Sequence, residues 1–348
     1  MNKGKIVTSI GAILLTTGII GGAYSGVLAM PKVINNIQNV ENNLNKEDIL
    51  YKGEINLTKL NINSKTSNVT IKKYDGQNVI VGRNGDKDIS TISTKENGNE
   101  LTINEEVNTP SLGNNIDGMV KYFVNQLYSA HSSNITVYVP DNIDINVNTN
   151  YGRLNVYDSN INTLNFNTSN GNIALNENSK VNNLNIKSNS FISLQVREAY
   201  CTNNLNIECS NVNIYEDSIV NDKTKVPDNV KIFINNTNSY DENESIDIKS
   251  NLPIAKNLEI TSNETVDLNL PILDYKFNFD IKALNSISFD INSKSKYLAT
   301  TLKEYIKYGQ DGRNILNKSS IEGLINENLK DNPLEYLVNI RSANVIFE

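Results

Sequence analysis

From about Ile143 onward the chain repeats one short phrase: two or three apolar residues at alternate positions, then an Asn-rich turn. The clearest copies are Leu154-Asn155-Val156, Leu164-Asn165-Phe166, Ile173-Ala174-Leu175, Leu184-Asn185-Ile186, Ile192-Ser193-Leu194, Leu205-Asn206-Ile207 and Val212-Asn213-Ile214. Such alternation marks strands that bury one face only. Alternate copies begin at 154, 173, 192 and 212, and the interleaved ones at 164, 184 and 205, a period of about 20 residues. Strands this short cannot fold alone, and a fixed period of this length is the signature of stacked repeats. The expected fold is therefore all-β, a single β-solenoid with ~20-residue rungs spanning residues 53–348. The apolar positions of these copies should point into one narrow core.

Weaker copies flank the clear ones. Ile55/Leu57, Leu60/Ile62, Val69/Ile71, Val79/Val81, Leu101/Ile103 and Ile135/Val137/Val139 precede them. Val230/Ile232/Ile234, Ile246/Ile248, Leu258/Ile260, Val266/Leu268/Leu270 and Phe277/Phe279/Ile281 follow. Val338/Ile340 and Val345/Phe347 read as a last rung. Three stretches depart from alternation. Ile116, Met119, Val120, Phe123, Val124 and Leu127 fall at helical spacing, which predicts an inserted amphipathic helix at about 114–130. Leu298, Leu302, Tyr305 and Ile306, with a capping box at Ser319-x-x-Glu322, predict a second helical insertion at about 296–332. Val33, Ile37, Val40 and Leu44 form a short helical seam, read as a stalk over 31–52.

The first 30 residues are of another kind. Lys3 and Lys5 precede Ile6–Met30, 25 residues without a charge. At ~1.5 Å per residue such a helix is long enough to cross a ~30 Å hydrocarbon core. Residues 1–30 are thus expected to be a transmembrane signal anchor crossing the membrane through residues 6–30. The lysines favour an inside N-terminus, which would make this a single-pass cell-membrane protein whose C-terminal domain is extracytoplasmic. A cleaved signal peptide is the alternative, because Ala23-Tyr24-Ser25 offers the small residues a signal peptidase needs.

Composition sharpens this picture in three respects. The chain holds 63 asparagines, which sit mainly at turns and between the apolar positions of strands. Asn tolerates left-handed turns, and stacked copies can hydrogen-bond as ladders. A formal charge of −7, with no basic stripe, argues against nucleic acid as a partner. Only two cysteines occur, Cys201 and Cys209; both small buried residues and a disulfide are compatible with their spacing.

The stretch Asn142–Leu175, NIDINVNTNYGRLNVYDSNINTLNFNTSNGNIAL, lies downstream of the membrane segment and resembles the bacterial "putative adhesin" family of β-strand-repeat proteins. The resemblance covers roughly Leu57–Ile291. It implies a membrane-anchored surface domain of unknown function built from strand–Ser/Thr-x-Gly–strand units, and it brings no catalytic residues. Most later rungs of this chain lack the glycine.

Chemistry is sparse along the sequence. The lone His131 has no second His and no Cys nearby, which gives a metal site or a His-based triad no support. Acids in or beside the strands (Asp144, Asp158, Glu177, Glu208, Glu216 and Asp217) do not recur at one rung phase, as stacked carboxylates of a glycan-cleaving β-helix would. Residues 84–88 and 241–244 are acidic but lack the ligand alternation of a calcium loop. Trp is absent, while Tyr297, Tyr305, Tyr308 and Tyr336 gather near the C-terminus, where some should be core and one or two could form a contact patch. No catalytic, cofactor-binding or metal site is expected, and no cofactor. The expectation is a non-enzymatic cell-surface scaffold or adhesin whose partner is a cell-wall component or a membrane protein. An extracytoplasmic polysaccharide-active β-helix enzyme is the alternative.

Overall fold

The computed structural model describes residues 47–54, 56–76, 78–85, 90–108, 134–176, 178–196, 200–214, 226–234, 245–290, 306–308, 313–316, 319–326 and 334–348. All regular structure among them is strand. The N-terminal third holds β1 (Glu47–Gly53), β2 (Lys59–Ser64), β3 (Asn68–Lys73), β4 (Val79–Asn84), β5 (Ser90–Asn97), β6 (Glu100–Val107) and β7 (Asn134–Val139). The clear repeats form β8 (Ile143–Tyr157), β9 (Asn160–Asn176), β10 (Lys180–Ser188), β11 (Phe191–Val196), β12 (Tyr200–Cys209) and β13 (Asn211–Ile214). Then come β14 (Asn229–Ile234), β15 (Ser245–Lys249), β16 (Asn257–Ser262), β17 (Thr265–Asn269) and β18 (Lys276–Asp290). The remainder is β19 (Ile306–Tyr308), β20 (Arg313–Leu316), β21 (Ser320–Ile325) and β22 (Glu335–Phe347).

Each rung contributes one stretch to a first sheet, turns a corner, and contributes a second stretch to a second sheet. The rungs stack in parallel in the order β6/β7, β2/β3, β8, β9, β10/β11, β12/β13, β14/β15, β16/β17, β22, β18. Between the sheets run continuous apolar columns. Leu60, Ile145, Leu164, Leu184, Leu205, Val230, Leu258, Val338 and Phe279 stack in register, all buried. Burying each such side chain contributes about 1.5–3 kcal/mol, so the core is a long sum of small equal terms. Polar residues occupy alternate positions because they face out, as in the partly exposed Asn165 and Asn185 of β9 and β10.

The corners explain the repeat's polar letters. Ser64, Thr149, Thr168, Ser188, Cys209, Ser262 and Ser342 are all buried at the first corner, and the side chains of all but Thr168 bond the turn's own backbone. On the opposite corner Asn142, Asp158 and Asn178 adopt left-handed φ angles of 64°, 49° and 54°, which short polar side chains tolerate. Gly171 is required by closeness: a Cβ there would lie 2.4 Å from the Gly152 carbonyl oxygen.

Both ends leave sequence order. At one end β2/β3 lies beside β8, and β6/β7 forms the outer rung. Antiparallel strands then cover it, β5 on β6, and β4 with β1 on β7. At the other end β22 lies between β16/β17 and β18, antiparallel β21 and β20 cover β18, and β19 pairs on the far side of β20. Exposed edges template unwanted pairing, and these antiparallel strands occupy the edges that the outermost parallel rungs would otherwise present.

Four expectations need correction. The register is 154, 173, 194 and 214 rather than 154, 173, 192 and 212: Ile173 pairs with Leu194, and Ile192 lies over Gly171. Residues 47–52 of the expected helical stalk are strand, paired with β4. The expected helical insertion at 296–332 holds three strands, and its capping box Ser319–Glu322 leads into β21. Residues 335–347 do form a rung, but one inside the stack. The expected span 6–30, the rest of the stalk and the helix at 114–130 lie outside the described residues. Among the described residues no helix is long and apolar enough to cross a membrane.

Candidate functional site

The outer face of the first sheet is lined by asparagine. Because rungs repeat in register, equivalent asparagines stand above one another, and their carboxamides bond along the stack. In one ladder Asn206 donates to Asn185, Asn185 to Asn165, Asn165 to Asn146 and Asn146 to Asn61, at 2.7, 2.7, 2.6 and 2.8 Å. In a second, Asn167 donates to Asn148, Asn148 to Asn63 and Asn63 to Asn104, at 2.9, 2.9 and 2.8 Å. A third runs from Asn257 through Asn229 and Asn204 to Asn183, at 3.0, 2.9 and 2.8 Å.

Every ladder points the same way, each Nδ2 donating toward the N-terminal end, so the amide dipoles add. The acceptor end of the first ladder, Asn206, is followed in register by Lys231; that of the second, Asn167, by Lys187. A cation at the negative end of aligned dipoles is favourable for the reason it is at a helix C-terminus. Each lysine then pairs with an acid one rung on: Lys187 with Glu208 and Lys231 with Glu259, both at 2.7 Å. A carboxamide carries two N–H groups and two acceptor lone pairs, and the ladder engages one of each. Each asparagine therefore keeps a donor and an acceptor for a ligand, repeated at the ~4.8 Å strand spacing. Two shallow hollows, of about 570 and 600 Å³, lie along this face. Phe233, 45% exposed, adds one aromatic ring to the first.

The family described as Toastrack DUF4097 matches residues 57–264, more than half of the chain and the whole of this laddered face up to β16. The chain belongs to that family. A crystal structure of a "putative cell adhesion protein" from Clostridium sporogenes covers 87% of this Toastrack chain and 98% of its own, at 11% identity and a TM-score of 0.20. At that score the likeness bears on neither fold nor function. No curated protein matches the chain.

The structure scatters the acids singled out by sequence. Asp144 accepts from Asn162 at 2.8 Å, Asp158 from Asn178 at 3.4 Å, and Glu208 is held by Lys187. Glu177, Glu216, Asp217 and His131 lie outside the described residues, as do the acidic residues 86–88 and 241–244. Among the described residues no three His, Cys, Asp or Glu side chains gather as metal ligands. Cys201 and Cys209 are both buried and unpaired, and burial pushes each thiol up to about 12. Cys209 fills the buried Ser/Thr position of its corner. Tyr336 is core, packed edge-on against Tyr275 at 5.8 Å, and Tyr308 sits in β19. Tyr297 and Tyr305 lie outside the described residues.

Sequence reasoning passed over Glu105. It is 3% exposed and occupies, on the outer rung, the column that holds Ser or Thr on most other rungs. That rung has no tight corner, so the corner amides of Lys65, Thr66 and Ser67 on the next rung would lack acceptors. The Glu105 carboxylate takes all three, at 2.8, 3.0 and 3.1 Å, together with the hydroxyls of Ser64 and Ser67. Burial alone would raise its pKa, but the hydrogen bonds, Ser67 foremost, hold it below the ordinary carboxylate value. It is a structural cap.

Proposed function

We propose that this Toastrack protein is a non-enzymatic β-solenoid anchored through residues 6–30 and held outside the cytoplasmic membrane. There its asparagine face lies along a cell-wall component or a membrane protein partner. The observation that carries this reading is the set of unidirectional ladders, a rigid row of donor–acceptor pairs at fixed spacing. Such a row suits an extended, polar, repeating ligand better than a compact one, because each contact is weak and affinity grows with the number engaged at once. Lys3, Lys5 and the uncharged stretch after them support the location.

The full-length chain should stay with membranes, and a reporter active only outside the cytoplasm, fused after Glu348, should be active. The same chain, solubilised in detergent, should sediment with isolated cell walls or retain a membrane protein without altering it. Replacing Asn165 and Asn185 by Leu should weaken that retention. Release of sugar fragments from walls would overturn the reading in favour of an enzyme, and retention indifferent to the two replacements would remove the asparagine face from it.

A further inference from the structure

The outer face of the second sheet holds a separate hollow of about 620 Å³ near the N-terminal end. The out-of-order stacking creates it. β7 and β8 flank β3, so Tyr138, Lys72 and Tyr157 come into register on three adjacent strands, at positions facing away from the core. The two phenol side chains therefore stand on either side of the lysine, each about 4.8 Å of strand spacing away. Lys72 Nζ lies 5.9 Å from the Tyr138 ring centroid.

Gly82 of β4 opens one wall. A Cβ there would fall 2.2 Å from Glu47 Oε1, so the glycine makes room for the Glu47 carboxylate to lie against the sheet. Glycine inside a strand often marks such a close approach. The Tyr138 hydroxyl donates to Glu47 at 3.4 Å, which aims both groups at the hollow. Asp158 stands at the opposite rim beside Tyr157.

The central lysine and the Tyr157 hydroxyl are uncommitted. Lys72 makes no ion pair with any described residue, whereas its neighbour Lys73 is held by Asp141 at 3.1 Å. The Tyr157 hydroxyl has no partner among the described residues. Lys72 and Lys73 balance Glu47 and Asp158, so the lining carries no formal net charge. Donors and acceptors are interleaved, and two half-buried aromatic rings flank them. That combination matches a polyhydroxylated ring: its hydroxyls donate and accept, and its C–H faces pack on phenol rings.

We propose that this hollow binds one neutral sugar ring. The two carboxylates accept hydrogen bonds from hydroxyls, Lys72 donates to ring or hydroxyl oxygens, and Tyr138 and Tyr157 supply the apolar contact. The site lies on the opposite sheet from the asparagine ladders, so either can fail without the other.

The test uses the full-length chain in a zwitterionic detergent, with methyl β-glucoside, methyl N-acetyl-β-glucosaminide and methyl β-glucuronide as probes. Saturation-transfer NMR and calorimetry read binding. The chain contains no tryptophan, so tyrosine fluorescence gives a third reading. At least one neutral glycoside should bind saturably at millimolar concentration. Tyr157→Ala and Lys72→Met should each weaken it at least about tenfold, and Asn185→Ala should not. Tyr157→Phe keeps the ring and should lose far less than Tyr157→Ala; if the alanine variant does not fold, Lys72→Met and Tyr157→Phe carry the comparison. The proposal is overturned if neither neutral glycoside binds, if the glucuronide binds more tightly, or if Lys72→Met leaves binding unchanged.

Discussion

Removing the charge of Glu105 while keeping its shape should loosen one end of the solenoid and leave the rest intact. In Glu105→Gln the amide oxygen can still accept, but the charge is gone and an –NH2 group replaces one carboxylate oxygen. That group then faces Ser64, Ser67 or the corner amides, which are themselves donors to this site. Hydrogen bonds to a charged group contribute about 1.5–3 kcal/mol each, against about 1 for neutral ones, and leaving a buried donor unmatched costs about 1–3 kcal/mol. Because the five bonds share one carboxylate their losses do not add, and a net destabilisation of about 2–3 kcal/mol is expected. The free acid ordinarily titrates near 4.5, and in the fold its pKa is lowered. The stabilisation is thus fully present above that pH and disappears as pH falls through the lower folded value. Amide hydrogen exchange at Lys65, Thr66 and Ser67, compared between wild type and Glu105→Gln, isolates this end from the distant rungs. At pH 6 the variant should exchange there about 30- to 150-fold faster, with rungs beyond β9 unchanged. Under acid the difference should narrow. Equal exchange at pH 6, or a gap that stays constant below pH 4, would refute the carboxylate's role as an acceptor.

Phe166→Ala, at a fully buried position, should lower global stability by about 3–5 kcal/mol in urea unfolding. Asn165→Ser beside it should cost about 1–2 kcal/mol, because it removes two ladder bonds rather than a free surface group. Gly171→Ala should cost about 1–3 kcal/mol, since the neighbour that must move is the Gly152 backbone. Both thiols should resist a disulfide reagent in the folded chain at pH 8 and react at once in denaturant, given burial and pKa values near 12.

How far the sequence reaches is clearest where it misleads. Core parity was legible: from Leu154 to Ile214 every apolar position singled out faces inward. The two-residue slip at Ile192 arose because Gly171, though it has no side chain to show, occupies a core-column position, and Phe166 lies against it. The helical reading of 296–332 failed on an ambiguity of spacing. Leu298, Leu302 and Tyr305 lie outside the described residues, but the Ser319-x-x-Glu322 box falls at the start of β21, where the buried Ile325 and Ile321, four apart, share one face as they would in a helix or in a strand. The ladders follow once strands are in register, but their direction and their terminal lysines do not. The Tyr138–Lys72–Tyr157 column was out of reach, because it joins residues 66 and 85 positions apart through a rung order that sequence adjacency argues against.

The placement of β22 sets a clock on assembly. Rungs β8 to β17 can each dock on the one before as they emerge, since every neighbour is already made. β18 cannot: its parallel partner is residues 335–347, still to come, and the edge it would otherwise meet is reserved for that same segment. Until β22 arrives, the open side of β16 and β17 and the aromatic residues of β18 stay unpaired. The last rung produced is thus a keystone, driven between two finished pieces at once, and loop closure over more than 50 residues must precede it. A chain stalled near residue 330 would not be a slightly shorter solenoid; it would be a stack with an open edge and a loose hairpin beside it. Such a form is the one a quality-control protease or a neighbouring copy would recognise first.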